Sequence, residues 1–277
     1  MSIGESRYAA KQARRDEGLN AWAYSDGRFH SHGSRKTYQQ HILAFIEWAR
    51  DTHGVRRLEL LDQRADELAT DYLFERLDLG KSPDTLVTER SALRHFFDRR
   101  DLAAHVLLPE RKQAQMTRGR TLSKRSQDFQ PANWQPLLAF LDATGLRDAE
   151  VKQLRVEDVL RIGPETGGPE ITIKKGYGKG GRPRQVPILP GHEVEVLVVC
   201  EGRDPQEYVF ARVPSRIHAQ AHRRHYARAY YMHLSGRALP PAQGRLKHTD
   251  YDEEAVLTVS RALGHNRKDV VLRNYLR

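Results

Sequence analysis

The chain has 277 residues, room for one large domain or two ordinary ones, and its 39% hydrophobic and 30% charged content suits a globular protein with two cores. Its formal net charge of +10 makes a polyanion a natural partner. Cys200 is the only cysteine, and no apolar run approaches the roughly 20 residues that cross a bilayer, which excludes an internal disulfide, a multi-cysteine zinc site and a spanning helix.

The N-terminus, Met1-Ser2-Ile3-Gly4-Glu5-Ser6-Arg7, has no apolar signal core, so the expected location is the cytoplasm. Residues 1–33 are polar and glycine-dotted and read as a flexible arm or a short helical lead-in. From Ser34, suited to cap a helix, Tyr38, Ile42, Phe45, Ile46 and Ala49 fall on one helical face. Leu68, Tyr72 and Phe74 mark a second helix. Ser82-Pro83-Asp84 opens a third, which runs to Arg99 and presents Leu86, Leu93, Phe96 and Phe97 to a core. Residues 34–110 are therefore expected to form a helical domain.

Residues 111–128 read as a linker; up to residue 125 they hold six basic residues and no acidic one. Arg118, Arg120, Lys124 and Arg125 also suit contact with a phosphate backbone.

A second domain is expected over 129–277. Trp134, Leu137, Leu138 and Leu141 predict a helix leading into the turn Thr144-Gly145-Leu146-Arg147. Residues 170–174 and 184–188 read as strands, joined by the glycine-rich turn at 176–182. Beyond about 190 the pattern is helical, broken between Gly236 and Gly244. It ends in a helix over 253–263 and a short one reaching Tyr275. The expected fold class is mainly α with a small antiparallel β-sheet, an α+β arrangement. Cys200, in Val198-Val199-Cys200, reads as a core residue.

Five segments carry chemistry. They are Ala143 to Glu150, Lys179 in Gly178-Lys179-Gly180, Arg223-Arg224-His225-Tyr226-Ala227, Leu263-Gly264-His265, and Tyr275 ten residues past that histidine. Two guanidiniums can hold a phosphate through paired hydrogen bonds, an ammonium and an imidazole can move protons, and a phenol can attack phosphorus. Arg147, at an expected helix start, would point its fork out of the fold, with Glu150 as its i,i+3 partner. Lys174, Lys175 and Arg182 compete with Lys179, which its Gly-Lys-Gly turn puts ahead, and they otherwise suit a solvated basic hairpin gripping a phosphate backbone. Tyr251 is a rival to Tyr275 but sits among acids that disfavour a phenolate, and Tyr230 and Tyr231 read as helix packing. The sequence has no His-Glu-x-x-His, no cysteine pair and no phosphate-cradling glycine loop.

In order and spacing these segments resemble the tyrosine recombinase (phage integrase) family, over most of the chain. The resemblance implies a core-binding helical domain at 34–110, a catalytic domain at 129–277, and breakage and rejoining of DNA through a 3′-phosphotyrosyl intermediate. It implies Arg147 and Arg223 on the scissile phosphate and Lys179 as the acid for the departing 5′ oxygen. His265 would hydrogen-bond the phosphate, Tyr275 would attack, and Glu150 would orient Arg147. The implied partner is double-stranded DNA, with no cofactor, no metal and no membrane. Recombination takes four strand cleavages and one Tyr275 supplies one, so four protomers would gather on two duplexes.

The chain departs from the family where a histidine is expected three residues before the second arginine; that position is Gln220. Either a flanking histidine, His218 or His222, turns into the site, or Gln220 hydrogen-bonds the phosphate without moving a proton. Arg224 is a further phosphate contact or an exposed side chain. A type IB topoisomerase would share this chemistry and a non-catalytic DNA-binding relative would share the fold. The two separate domains favour a site-specific recombinase of a phage or mobile element.

Overall fold

The computed structural model describes residues 4, 7–20, 27–110, 129–165, 167–178, 183–215, 217–241 and 248–277. It is mainly helical with one three-stranded antiparallel sheet, and the chain divides into two compact units, Met1–Met116 and Thr117–Arg277.

The first unit contains α1 (Arg7–Asp16), α2 (His32–His53), α3 (Leu58–Gln63), α4 (Ala65–Asp78) and α5 (Pro83–Phe96). The lead-in thus includes a helix, and Phe29 beyond it is anchored. Phe29 is buried edge-on against the rings of Tyr38 and His95, with centroids 5.2 and 4.5 Å away. Ser31, not Ser34, caps α2: its hydroxyl accepts from the Ser34 amide at 3.1 Å, which puts Ser34 in the first turn. The cap of α5 is Ser82, followed by Pro83, as expected. That helix stops at Phe96 rather than Arg99 because Asp98 takes a left-handed backbone, φ 51°.

Phe45, Ala49, Leu61, Leu68, Tyr72, Leu73, Leu93 and Leu102 fill this core. Phe74 is not part of it and stays 49% exposed, because two residues on from Tyr72 a helix has turned about 200°. Leu73 takes the place expected of Phe74, and α3 is an element the periodicity did not show. Glu89 is fully buried here and is held by Arg76 at 2.6 Å.

The second unit runs α6 (Gln135–Thr144), α7 (Asp148–Val151), β1 (Val159–Leu160), β2 (Glu170–Ile173), β3 (Arg184–Pro187), α8 (Glu193–Leu197), α9 (Ala219–Ser235), α10 (Glu253–Ala262) and α11 (Lys268–Val271). A π-helical turn over Leu272–Leu276 follows. The strands lie in the order β1-β2-β3, with Ile171 opposite Val159 on one side and Val186 on the other. Two-residue β1 is too short to show alternation in the sequence. Leu137, Phe140 and Leu141 of α6 join Ile171, Ile173, Val186, Tyr226, Tyr230, Tyr231, Val256 and Leu272 in the core, while Leu138 is only half-buried. Cys200 packs at the edge of that core, and burial raises the pKa of its thiol.

Candidate active site

The turn at the end of α6 is shaped by its glycine. Gly145 has φ +58°, and a Cβ there would lie 2.5 Å from the Tyr226 ring. Only a residue without a side chain lets the chain reverse this close to α9. The Gly145 carbonyl accepts from Nη1 of Arg223 at 2.7 Å. Arg223 lies on the core stripe of α9 with Ala219, Tyr226, Ala227 and Tyr230, and is itself 0% exposed. Its Nη2 donates to the Leu263 carbonyl and its Nε to the Tyr275 hydroxyl at 3.3 Å.

Arg147 is turned inward, contrary to the expected outward fork. Its Nη1 donates to Oε1 of Glu150 at 2.6 Å and its Nη2 to the same Leu263 carbonyl at 3.1 Å, leaving the side chain 20% exposed. The physical reason is Glu150, which is fully buried and cannot be left without positive partners. The i,i+3 pair expected on the surface is therefore a buried one. Arg184 completes it, with Nη1 and Nη2 on the two carboxylate oxygens at 2.9 and 3.0 Å and Nε on the Ala262 carbonyl at 2.8 Å. Burial pushes the Glu150 carboxyl up, but Arg184 and Arg147 overcome it and lower its pKa to about 2.

Three guanidiniums thus converge on the carbonyl end of α10, where the helix dipole is negative, and two of them, Arg147 and Arg184, also share the Glu150 carboxylate. Beyond that end, Gly264 has φ +70°, and a Cβ on it would stand 3.2 Å from the Arg184 side chain. The next residue, His265, brings Nε2 to 3.2 Å from the Tyr275 hydroxyl. Burial, then Arg223, Arg147 and Arg184, lower the imidazole pKa to about 4, so it is neutral at neutral pH. Burial, then Arg147, lower the pKa of Arg223 to about 10, which leaves it charged. One phenol accordingly accepts from a cation and faces a neutral base, within a pocket of surplus positive charge.

Arg147, Glu150, Arg223, His265 and Tyr275 are brought together by these contacts. Lys179, Arg182, Arg118, Arg120, Lys124 and Arg125 lie outside the described residues. Gly178 is the last described residue before Lys179, and a Cβ on it would stand 2.6 Å from Oε1 of Glu150, so the hairpin backbone lies directly on the buried carboxylate.

His222 does not turn to the phenol. Its Nδ1 is 2.9 Å from Oδ1 of Asp142, an oxygen it shares with Nδ1 of His225 at 3.0 Å. Gln220 is exposed in the first turn of α9, His218 precedes that helix with Nδ1 buried and unpartnered, and Arg224 is half-buried. Lys174 is engaged by Glu157 at 2.5 Å and Asp158 at 2.7 Å, which raises its pKa and braces the base of the hairpin, while Lys175 is exposed. Tyr251 is buried beside the Tyr231 ring, 5.9 Å between centroids. Among the described residues no group of three His, Cys, Asp or Glu side chains could hold a metal, and no helix is long and apolar enough to cross a membrane.

Arg184 is the residue that sequence reading passed over. The signal was present: Arg184, Val186 and Ile188 alternate on one face, and the last two are core positions, so an arginine in that register requires a buried partner.

No protein-family model matches the chain, and no curated protein matches it. Among solved structures it is similar to the crystal structure of XerA recombinase, at 13% identity and a TM-score of 0.33, over 98% of this chain and 94% of that one. At that identity and score, activity has to be read from the site's own geometry.

Proposed function

We propose that the chain is a site-specific recombinase of the tyrosine class, which breaks and rejoins DNA strands through a bond between Tyr275 and a 3′ phosphate. The observation that supports this most is the Tyr275 hydroxyl held 3.3 Å from Nε of Arg223 and 3.2 Å from Nε2 of a neutral His265. In the reaction the phenol oxygen bonds to phosphorus, its proton passes to Nε2 of His265, and the bond from phosphorus to the 5′ oxygen breaks. Arg147 and Arg223 take the non-bridging oxygens, where their charge offsets the charge that gathers as the bonds exchange. The departing 5′ oxygen needs a proton, and Lys179, one residue past Gly178, is its donor in this reading; a positioned acid contributes about 10²–10⁴-fold. Attack by another 5′ hydroxyl reverses the step, so the phosphotyrosine conserves the bond energy and calls for no cofactor or metal. The partner is double-stranded DNA in the cytoplasm, at the nucleoid, and four protomers supply the four tyrosines of a full exchange.

Arg223 has no exposed surface and Tyr275 only 8%, so a phosphate reaches them only after the chain around them shifts. That closed arrangement favours a second reading, a DNA-binding protein of this fold that cuts nothing. A pool of random-sequence duplexes, each nicked so that a cleaved fragment diffuses away, separates the two. A denaturation-resistant protein–DNA band that depends on Tyr275 supports strand transfer; DNA retention without such a band supports binding alone.

A further inference from the structure

We propose that Arg184 is a positioning residue of this site, setting Arg147 through Glu150 and holding the turn that carries His265 through Ala262. This rests on the reading of Arg147 as a phosphate ligand. Arg184 takes both oxygens of Glu150, at 2.9 and 3.0 Å, while Glu150 takes Nη1 and the backbone amide of Arg147, at 2.6 and 2.9 Å. The carboxylate is thus clamped from β3 on one side and oriented toward Arg147 on the other. Nε of Arg184 reaches the Ala262 carbonyl at 2.8 Å, and Gly264 packs against its side chain, so the same guanidinium fixes the chain just before His265. With 11% of its side chain exposed, Arg184 has little surface for a ligand of its own. Its place is between the Arg147 and His265 halves of the pocket.

A lysine at this position keeps the charge but cannot grip two carboxylate oxygens and a carbonyl at once. The test compares Arg184→Lys, Glu150→Gln and the double variant with the full-length wild type, each checked first for a cooperative thermal transition. Two readouts are followed. One is the affinity for inorganic phosphate, measured through the NMR signals of the His265 imidazole; the other is the rate of covalent adduct formation on the nicked duplex pool. Expected for Arg184→Lys are about tenfold weaker phosphate binding, the loss of one hydrogen bond to a charged group, and an adduct rate down about 10²-fold, the effect of a 1 Å misplacement.

In phosphate affinity the double variant should be no weaker than Glu150→Gln alone, because both changes act on Arg147 through one carboxylate, whereas its adduct rate should fall further through the lost Ala262 contact. It also leaves no unpaired buried carboxylate, so it serves if Arg184→Lys does not fold. Wild-type phosphate affinity in Arg184→Lys, or phosphate-affinity losses that simply add in the double variant, overturns the positioning role. A wild type that binds phosphate but never forms adduct overturns the recombinase reading instead, while the phosphate affinities still decide the role of Arg184.

Discussion

Nε2 of His265 and the hydroxyl of Tyr275 stand 3.2 Å apart, and the imidazole of the pair is uncharged near neutrality because burial and three arginines hold its pKa at about 4. A neutral imidazole can accept the phenol proton, which a protonated one cannot. The free-protein titration of His265, followed by NMR, should therefore have its midpoint near 4 rather than the ordinary 6.5. The linkage has a definite sign. Between pH 4 and 6.5 the unfolded chain carries the proton and the folded chain does not, so stability rises with pH across that window and is lost as pH falls through it. Phosphate in the pocket should move the midpoint upward by offsetting the arginine field. A midpoint at the ordinary value would show that His265 does not face the arginines as described.

Tyr275→Phe removes the attacking oxygen and should abolish the covalent adduct. It should also lower stability. The hydroxyl accepts from Nε of Arg223, a guanidinium with no exposed surface, and leaving that donor unsatisfied costs about 1–3 kcal/mol. Urea denaturation measures the second effect. An adduct formed by the phenylalanine variant would move the nucleophile to another residue.

Arg147, Glu150, Arg223, His265 and Tyr275 were legible from the order and spacing of their motifs, whereas Arg184 was not. Arg223 occupies a core position on α9, Arg184 a core register on β3, and both need a buried counter-charge, which Glu150 and the end of α10 provide. Gly145 and Gly264 mark the turns that bring those partners close, each with a positive φ. What the sequence could not show was direction. An arginine at a helix start points outward by default, and only the burial of Glu150, a consequence of packing between distant segments, turns Arg147 inward. The same holds for His222, whose neighbour Asp142 is 80 residues away in the chain. Nor could periodicity choose between Leu73 and Phe74, adjacent apolar residues on different sides of α4.

Gly145→Ala should be among the most damaging single substitutions outside the titrating groups. The new methyl meets Tyr226 at 2.5 Å on a backbone with φ +58°, and Tyr226 is fully buried, so neither side can yield cheaply. Overpacking typically costs about 1–3 kcal/mol, with the left-handed backbone adding about 1 kcal/mol more. The shift would also move the carbonyl that fixes Nη1 of Arg223, so adduct formation should fall further than unfolding explains. Comparing the urea midpoint with the adduct rate measured well below it tests both parts. An unchanged midpoint would mean that the turn relaxes freely.

The hairpin lysines should separate by role. Lys174 is engaged by Glu157 and Asp158, and Asp158 also accepts from the Tyr177 hydroxyl at 3.0 Å, so this lysine braces the strand that leads to Gly178. Lys175 is exposed beside it. If DNA lies across the hairpin, Lys175→Ala should reduce the slope of log affinity against log salt by about 0.9, the release of one counterion. Lys174→Ala should leave that slope unchanged and lower the melting temperature, since it strips a cation from the buried Asp158. Neutralising Arg118, Arg120, Lys124 and Arg125 together should flatten the slope by several such steps if the basic segment lies on the phosphate backbone. Fluorescence anisotropy with a labelled duplex over a salt series reads all three. A Lys174 variant that flattens the slope would return that residue to the DNA surface, and an unchanged slope in the fourfold variant would leave the segment a linker alone.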